Sequence, residues 1–194
     1  MITTPRILAF GGSLRRDSYN HKLASFAARG ARDAGAEVTL IRLADFPMPI
    51  FDQDIEDKDG LPEHAKRLKK LFVEHHGFLI ASPEYNSGMT AALKNAMDWV
   101  SRQETDDEPP LVAYKGKAAA LMAASPGALG GLRGLVHLRF ILGNIGVHVL
   151  PDQLSIPKAH EALGEDGGPK DARHNGAALK LGADLATFLK KHSA

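Results

Sequence analysis

The residues best suited to chemistry form one run, Gly12-Ser13-Leu14-Arg15-Arg16-Asp17-Ser18-Tyr19-Asn20. It gathers the hydroxyls of Ser13 and Ser18, the amide of Asn20 and two guanidinium groups where an apolar run, Ile7 to Phe10, gives way to a helix-like pattern. A helix start adds unpaired backbone N–H groups and a positive dipole end, so the combination can surround a phosphate without a metal. Neither G-x-x-x-x-G-K-[ST] nor G-x-G-x-x-G lies near this turn, which disfavours a triphosphate or a dinucleotide and leaves a terminal monophosphate. A blander alternative has Ser18 capping the helix and the arginines solvated.

Two further segments share the pattern of an apolar run ending in a turn. In Ser82-Pro83-Glu84-Tyr85-Asn86-Ser87-Gly88, Tyr85 offers an aromatic face, and exposed backbone groups can read the edge of a flat heterocycle. A plain turn with a helix cap would use similar residues. Ser125-Pro126-Gly127-Ala128-Leu129-Gly130-Gly131 has the glycine density that lets backbone approach a ligand, or that serves a tight turn.

The elements that must position these loops follow from periodicity. Strands are expected near Ile7–Phe10, Val38–Leu43, Gly77–Ser82, Lys117–Ala124 and Val147–Leu150. Helices are expected after Ser18, across Leu61–Phe72, Ala91–Arg102 and Leu132–Leu142, and at the end, where Leu181, Leu185, Phe188 and Leu189 share a face. Continuously apolar strands alternating with helices predict an α/β three-layer sandwich around a five-stranded parallel sheet. In strand order 2-1-3-4-5 the loops after strands one and three face one crevice at the carboxyl edge, where such sheets bind ligands. Segments Ala44–Gly60, Gln103–Gly116 and Pro151–Pro169 fall outside the alternation and read as irregular.

Composition narrows the classes. With 194 residues the chain predicts a single domain over residues 1–194. A formal charge of +1 gives no field for nucleic acid or an anionic membrane, and no apolar run approaches the ~20 residues of a membrane span. The partner expected is a small molecule and the location cytoplasmic. Zero cysteines exclude disulfides, thiolate metal sites and cysteine nucleophiles, so redox chemistry would need a borrowed cofactor. His75-His76 and His160-Glu161 invite a metal, but no H-E-x-x-H is present, and capping or solvated histidines are expected. No G-x-S-x-G elbow supports a hydrolase. The acidic stretch Asp52, Asp54, Glu56, Asp57, Asp59 reads as a solvated loop.

The three motifs together resemble the NADPH-dependent FMN reductase family of flavodoxin-like proteins, in its bacterial quinone, chromate and azo-dye reductase branch. The resemblance rests on Gly12-Ser13-Leu14-Arg15 with Ser18 and Asn20, on Pro83-Glu84-Tyr85-Asn86 running into Leu93-Lys94-Asn95-Ala96-Met97-Asp98-Trp99, and on Ser125, Gly127 and Gly130-Gly131. It implies FMN, with Ser13, Arg15, Ser18, Tyr19 and Asn20 at the phosphate and with Pro83, Glu84, Tyr85, Asn86, Ser125 and Gly127 along ribityl and isoalloxazine. It further implies NADPH or NADH as co-substrate and two-electron, ping-pong transfer to quinones or similar acceptors such as azo dyes, chromate or free flavin. No side chain is required as a catalytic acid or base in such transfer, and none is assigned. The alternative on the same fold is a flavodoxin-type electron carrier, against which the charge of +1 argues.

One helix carries more apolar surface than a sheet can cover. Leu132, Leu135, Val136, Leu138, Phe140, Ile141 and Leu142 take up most of its circumference, whereas packing on a sheet needs an arc of little over ~100°. A homodimer or dimer of dimers through this helix is expected, with burial beneath Pro151–Pro169 as the alternative; the family resemblance points to association too.

Overall fold

Alternation of side chains along each strand sorts the interior into two cores. In the computed structural model, which describes residues 3–192, β1 (Arg6–Gly11) sends Ile7 and Ala9 to one face and Leu8 and Phe10 to the other. The same split recurs in β3 (Gly77–Ala81), where Leu79 opposes Phe78 and Ile80. The chain runs β1, α1 (Tyr19–Asp33), β2 (Glu37–Arg42), α2 (Gln53–Asp59), α3 (Glu63–Glu74), β3, a short hairpin β4 (Glu84–Tyr85) and β5 (Gly88–Met89), α4 (Ala91–Val100), β6 (Ala118–Ala124), α5 (Leu132–Asn144), β7 (His148–Ile156), α6 (Ala159–Ala162) and α7 (Ala172–His192). The main sheet is parallel with order β2-β1-β3-β6-β7, the expected 2-1-3-4-5 when its five strands are counted in sequence.

Helices α1 and α7 cover one face, and α3, α4 and α5 the other. The alanine-rich β6 lets α1 and α7 lie close, and glycines let them touch. A Cβ at Gly30 would stand 2.0 Å from the Leu179 carbonyl oxygen and one at Gly182 2.1 Å from that of Ala27, so neither position admits a side chain. Each fully buried leucine or phenylalanine, such as Leu8, Phe78 or Leu185, adds about 1.5–3 kcal/mol.

Three expectations need correction. The acidic segment is not a loop: Gln53–Asp59 is helical, capped where the Asp52 carboxylate accepts from the Asp54 amide at 2.9 Å, and pinned by Arg102 on Glu56. With no buried residue it has no apolar period to betray it. The fifth sheet strand does not stop at Leu150 but continues to Ile156, straight through Pro151. A register shift opposite Ala119 and Leu121 absorbs the proline, and as an edge strand β7 owes no ladder bond there. Within the same segment Ala159–Ala162 forms a short helix.

Candidate cofactor site at the carboxyl edge

Two neighbours press on the first turn and explain its glycines. Thr90, the N-cap of α4, donates its hydroxyl to the Gly12 carbonyl at 2.5 Å, and the Gly12 amide donates to Ala81 at 2.8 Å. A Cβ at Gly11 would stand 2.6 Å from the His21 nitrogen, and one at Gly12 2.9 Å from Leu93. The end of β1 therefore meets the start of α1 backbone to backbone, and the start of α4 through the Thr90 and Leu93 side chains.

Within the turn, Ser18 caps α1, its oxygen accepting from the His21 amide at 3.2 Å, and the Ser13 oxygen accepts from the Arg15 amide at 3.2 Å. Each hydroxyl proton is still free to donate, so capping and anion binding are compatible. The first amides of α1 have no carbonyl one turn back. Arg15 is exposed and pairs with no carboxylate among the described residues.

Asn20 behaves differently from the rest. Its Nδ2 donates to the Ala124 carbonyl and its Oδ1 accepts from the Ala124 amide, both at 2.8 Å, in a buried position. The side chain thus fastens the end of β6 to the start of α1, holding the Ser125 loop against the first turn.

Glu84 also points elsewhere. Arg133 Nε and Nη2 donate to its Oε1 at 2.9 and 2.6 Å, and the Gly134 amide donates to Oε2 at 3.0 Å. Burial alone would raise this carboxyl, but the Gly134 and Arg133 contacts outweigh it and hold the acid below its ordinary value. The carboxylate serves as a cap for α5 supplied from another element. Between β4 and β5 the tight turn places Asn86 at φ 50° and Ser87 at φ 68°, the primed-turn geometry that matches strand twist. Tyr85 stands beside it, 54% exposed.

In the third loop the Ser125 amide donates to Ile156 at 3.1 Å and its carbonyl accepts from Ala159 at 3.0 Å, while the Gly127 amide donates to Ser125 Oγ at 3.2 Å. Gly130 and Gly131, with φ of 61° and 92°, serve packing: a Cβ on them would strike Ile156 or Ala123.

Ser13, Arg15, Ser18, Tyr19, Asn20, Pro83, Glu84, Tyr85 and Ser125 line one small cavity, of about 70 Å3, with Ala124 and Pro126. Asn86 and Gly127 lie outside that lining. A larger crevice of about 270 Å3, walled by Leu14, Leu43, Phe46, Met48 and Ala92, has no charged side chain and cannot serve a phosphate. The donor set of the small cavity fits a phosphomonoester: two hydroxyl protons, one free guanidinium and a helix start, with no carboxylate directed at it.

Sequence reasoning missed Arg42, Thr90 and Arg133. All three act across elements, so no local motif marks them; strand pairing, which sets Arg42 beside Gly11, is the signal for the first. The histidine pair is structural. His75 bonds the Leu71 carbonyl and Thr39 hydroxyl, and His76 Nδ1 accepts from the Arg6 amide. Among the described residues no three His, Asp or Glu side chains converge on a metal position.

Comparison with known proteins agrees with this geometry. Residues 5–161 match the model of the NADPH-dependent FMN reductase family. A 2-hydroxy-1,4-benzoquinone reductase from Burkholderia sp is 33% identical over 97% of this chain and 94% of its own length. An NAD(P)H-dependent FMN reductase of Pseudomonas aeruginosa is 34% identical over 84% of this chain and 83% of its own. Among solved structures, FerB, a flavoenzyme NAD(P)H:(acceptor) oxidoreductase from Paracoccus denitrificans, superposes with a TM-score of 0.78 at 26% identity, covering 97% of this chain and 99% of FerB. Motif, fold and relatives converge: the chain belongs to the NADPH-dependent FMN reductase family.

Proposed function

We propose that this chain is an NAD(P)H-dependent FMN oxidoreductase that reduces quinone-like acceptors by two electrons. The observation that carries the reading is the set of unused donors at the β1–β3 crevice: the Ser13 and Ser18 hydroxyls, the Arg15 guanidinium and the start of α1. Bound FMN supplies a centre that takes hydride from a nicotinamide and passes two electrons onward.

The chain's own groups hold and orient. Ser13, Arg15, Ser18 and Tyr19 surround the phosphate, and Asn20 keeps the Ser125 loop in place rather than touching the phosphate itself. Pro83, the Glu84 backbone, Tyr85 and Asn86 form one wall for the ring, and Ser125 and Gly127 the other. Because the Glu84 carboxylate is bound by Arg133 and Gly134, no free acid faces the ring from that residue. Positioning and an open face are the protein's contribution, and no side chain needs to move a proton.

We assign the working form as a homodimer or dimer of dimers through α5. Leu135, Leu138 and Leu142 bury one face of this helix, while Leu132, Val136 and Phe140 stand exposed on the other, Phe140 at 74%. Those three are not covered by the segment after β7, so burial within one subunit does not account for them. Among the described residues no helix is long and apolar enough to cross a membrane, and a cytoplasmic setting fits the supply of reduced nicotinamide.

The purified protein should be yellow and release FMN on denaturation. Initial rates at several quinone concentrations should give parallel double-reciprocal lines against NADPH or NADH. Colourless protein that takes up no FMN, or intersecting lines, would refute the reading.

A further inference from the structure

Arg42 ends β2, on the side of β1 away from the cavity. Its Nη2 donates to two consecutive carbonyls of the first turn, Arg15 at 3.0 Å and Arg16 at 2.7 Å. In a trans peptide the carbonyl and the following N–H point in opposite directions. Among the described residues every peptide bond is trans. Fixing these two carbonyls therefore turns the N–H groups of Arg16 and Asp17 away from Arg42 and pins the middle of the turn from behind; Arg16 and Asp17 stand exposed, while Arg15 and Ser18, which bracket them, line the cavity.

We propose that Arg42 is a positioning residue for the cofactor phosphate, fixing the backbone of the first turn so that Arg15 and Ser18 face the cavity, without touching the ligand itself. This rests on the FMN reading above. The consequence is chemical selectivity: Arg42 acts on the phosphate end of the flavin and on nothing else. It separates the arginines of this region by task, Arg15 contributing charge to the site and Arg42 contributing geometry from behind. A second observation places Arg42 beside the start of α1, since its charge, after burial, helps hold the His21 imidazole below its ordinary pKa.

The test is the affinity of apoprotein for FMN and for riboflavin, which lacks the phosphate, measured for the native chain, Arg42→Met and Arg42→Lys. Arg42→Met should weaken FMN roughly tenfold and leave riboflavin unchanged within about a factor of two. Arg42→Lys retains a cation with donors enough for the two carbonyls that Nη2 alone bridges, so its FMN affinity should recover part of the loss seen in Arg42→Met. A rise of the His21 pKa in Arg42→Met, followed by NMR, would show the variant folded with the neighbouring charge gone. Equal losses on both flavins, no loss on FMN, or a lysine variant that binds FMN no better than Arg42→Met would each overturn the orienting role. A native chain that fails to bind FMN would instead remove the underlying reading, a different result from FMN binding that ignores Arg42.

Discussion

The two edges of the sheet carry comparable numbers of polar groups but use them in opposite ways. At the amino edge, His75 spans Leu71 and Thr39, His76 accepts from Arg6, and Lys117 donates to the carbonyls of Val73 and His75. Those bonds close the carboxyl end of α3, and burial followed by the Arg6 charge brings the Lys117 pKa down to about 8. At the carboxyl edge, by contrast, the Ser13 and Ser18 protons, the Arg15 guanidinium and the Tyr19 and Asn20 amides find no protein acceptor among the described residues. A cluster of titratable side chains is therefore a weak guide to function; donors that the fold leaves unused are a stronger one.

The largest effect that tests this contrast is expected where the carboxyl edge is tied together. Asn20→Ala strips partners from a buried amide and carbonyl of Ala124, and should cost on the order of 3 kcal/mol of stability, with FMN affinity falling as the Ser125 loop loosens. Thermal unfolding of the apoprotein measures the first part, flavin titration the second. Arg15→Ala should separate the two quantities: about 1.5–3 kcal/mol lost from FMN binding and apoprotein stability within ~0.5 kcal/mol of native, because the guanidinium holds nothing in the fold. A large stability loss there would erase the distinction between the edges. The smallest effect lies at the amino edge. Burial, more than the neighbouring Arg6 and Lys117 charges, holds the His75 pKa below its ordinary value. The unfolded chain then takes up protons that the folded one refuses as pH falls through about 6.5, so stability is full above that pH and declines below it. The melting temperature should fall between pH 7 and 5.5, and His75→Phe should make that slope shallower without removing it, because His21 and His76 are also held below their ordinary values by burial.

Short, continuously apolar runs alternating with helical patterns made the five strands legible, because each run is a local property; the order 2-1-3-4-5 came from the topology common to such sheets rather than from any one strand. The acidic helix Gln53–Asp59 was not legible, since Ile55 is its one apolar residue and marks no period, and β7 passed unread beyond Pro151 because only pairing with β6 reveals that an edge strand tolerates the proline. At the site, Ser13, Arg15 and Ser18 announced themselves through type and position. Asn20 and Glu84 were located correctly in space, yet their side chains face Ala124 and Arg133, partners that lie 104 and 49 residues away and leave no mark on the local motif. Arg42 reaches the turn from 27 residues away for the same reason.

Amide hydrogen exchange of the apoprotein with and without FMN tests the central claim most directly, because it reads both edges in one experiment. Ligand binding slows every amide that exchanges through global unfolding by a common amount. Beyond that common slowing, the account predicts added protection at residues 13–20, 83–88 and 124–127 and none at residues 75–77, 117 and 148. Protection concentrated at the amino edge, or none beyond the common slowing at the carboxyl edge, would contradict it.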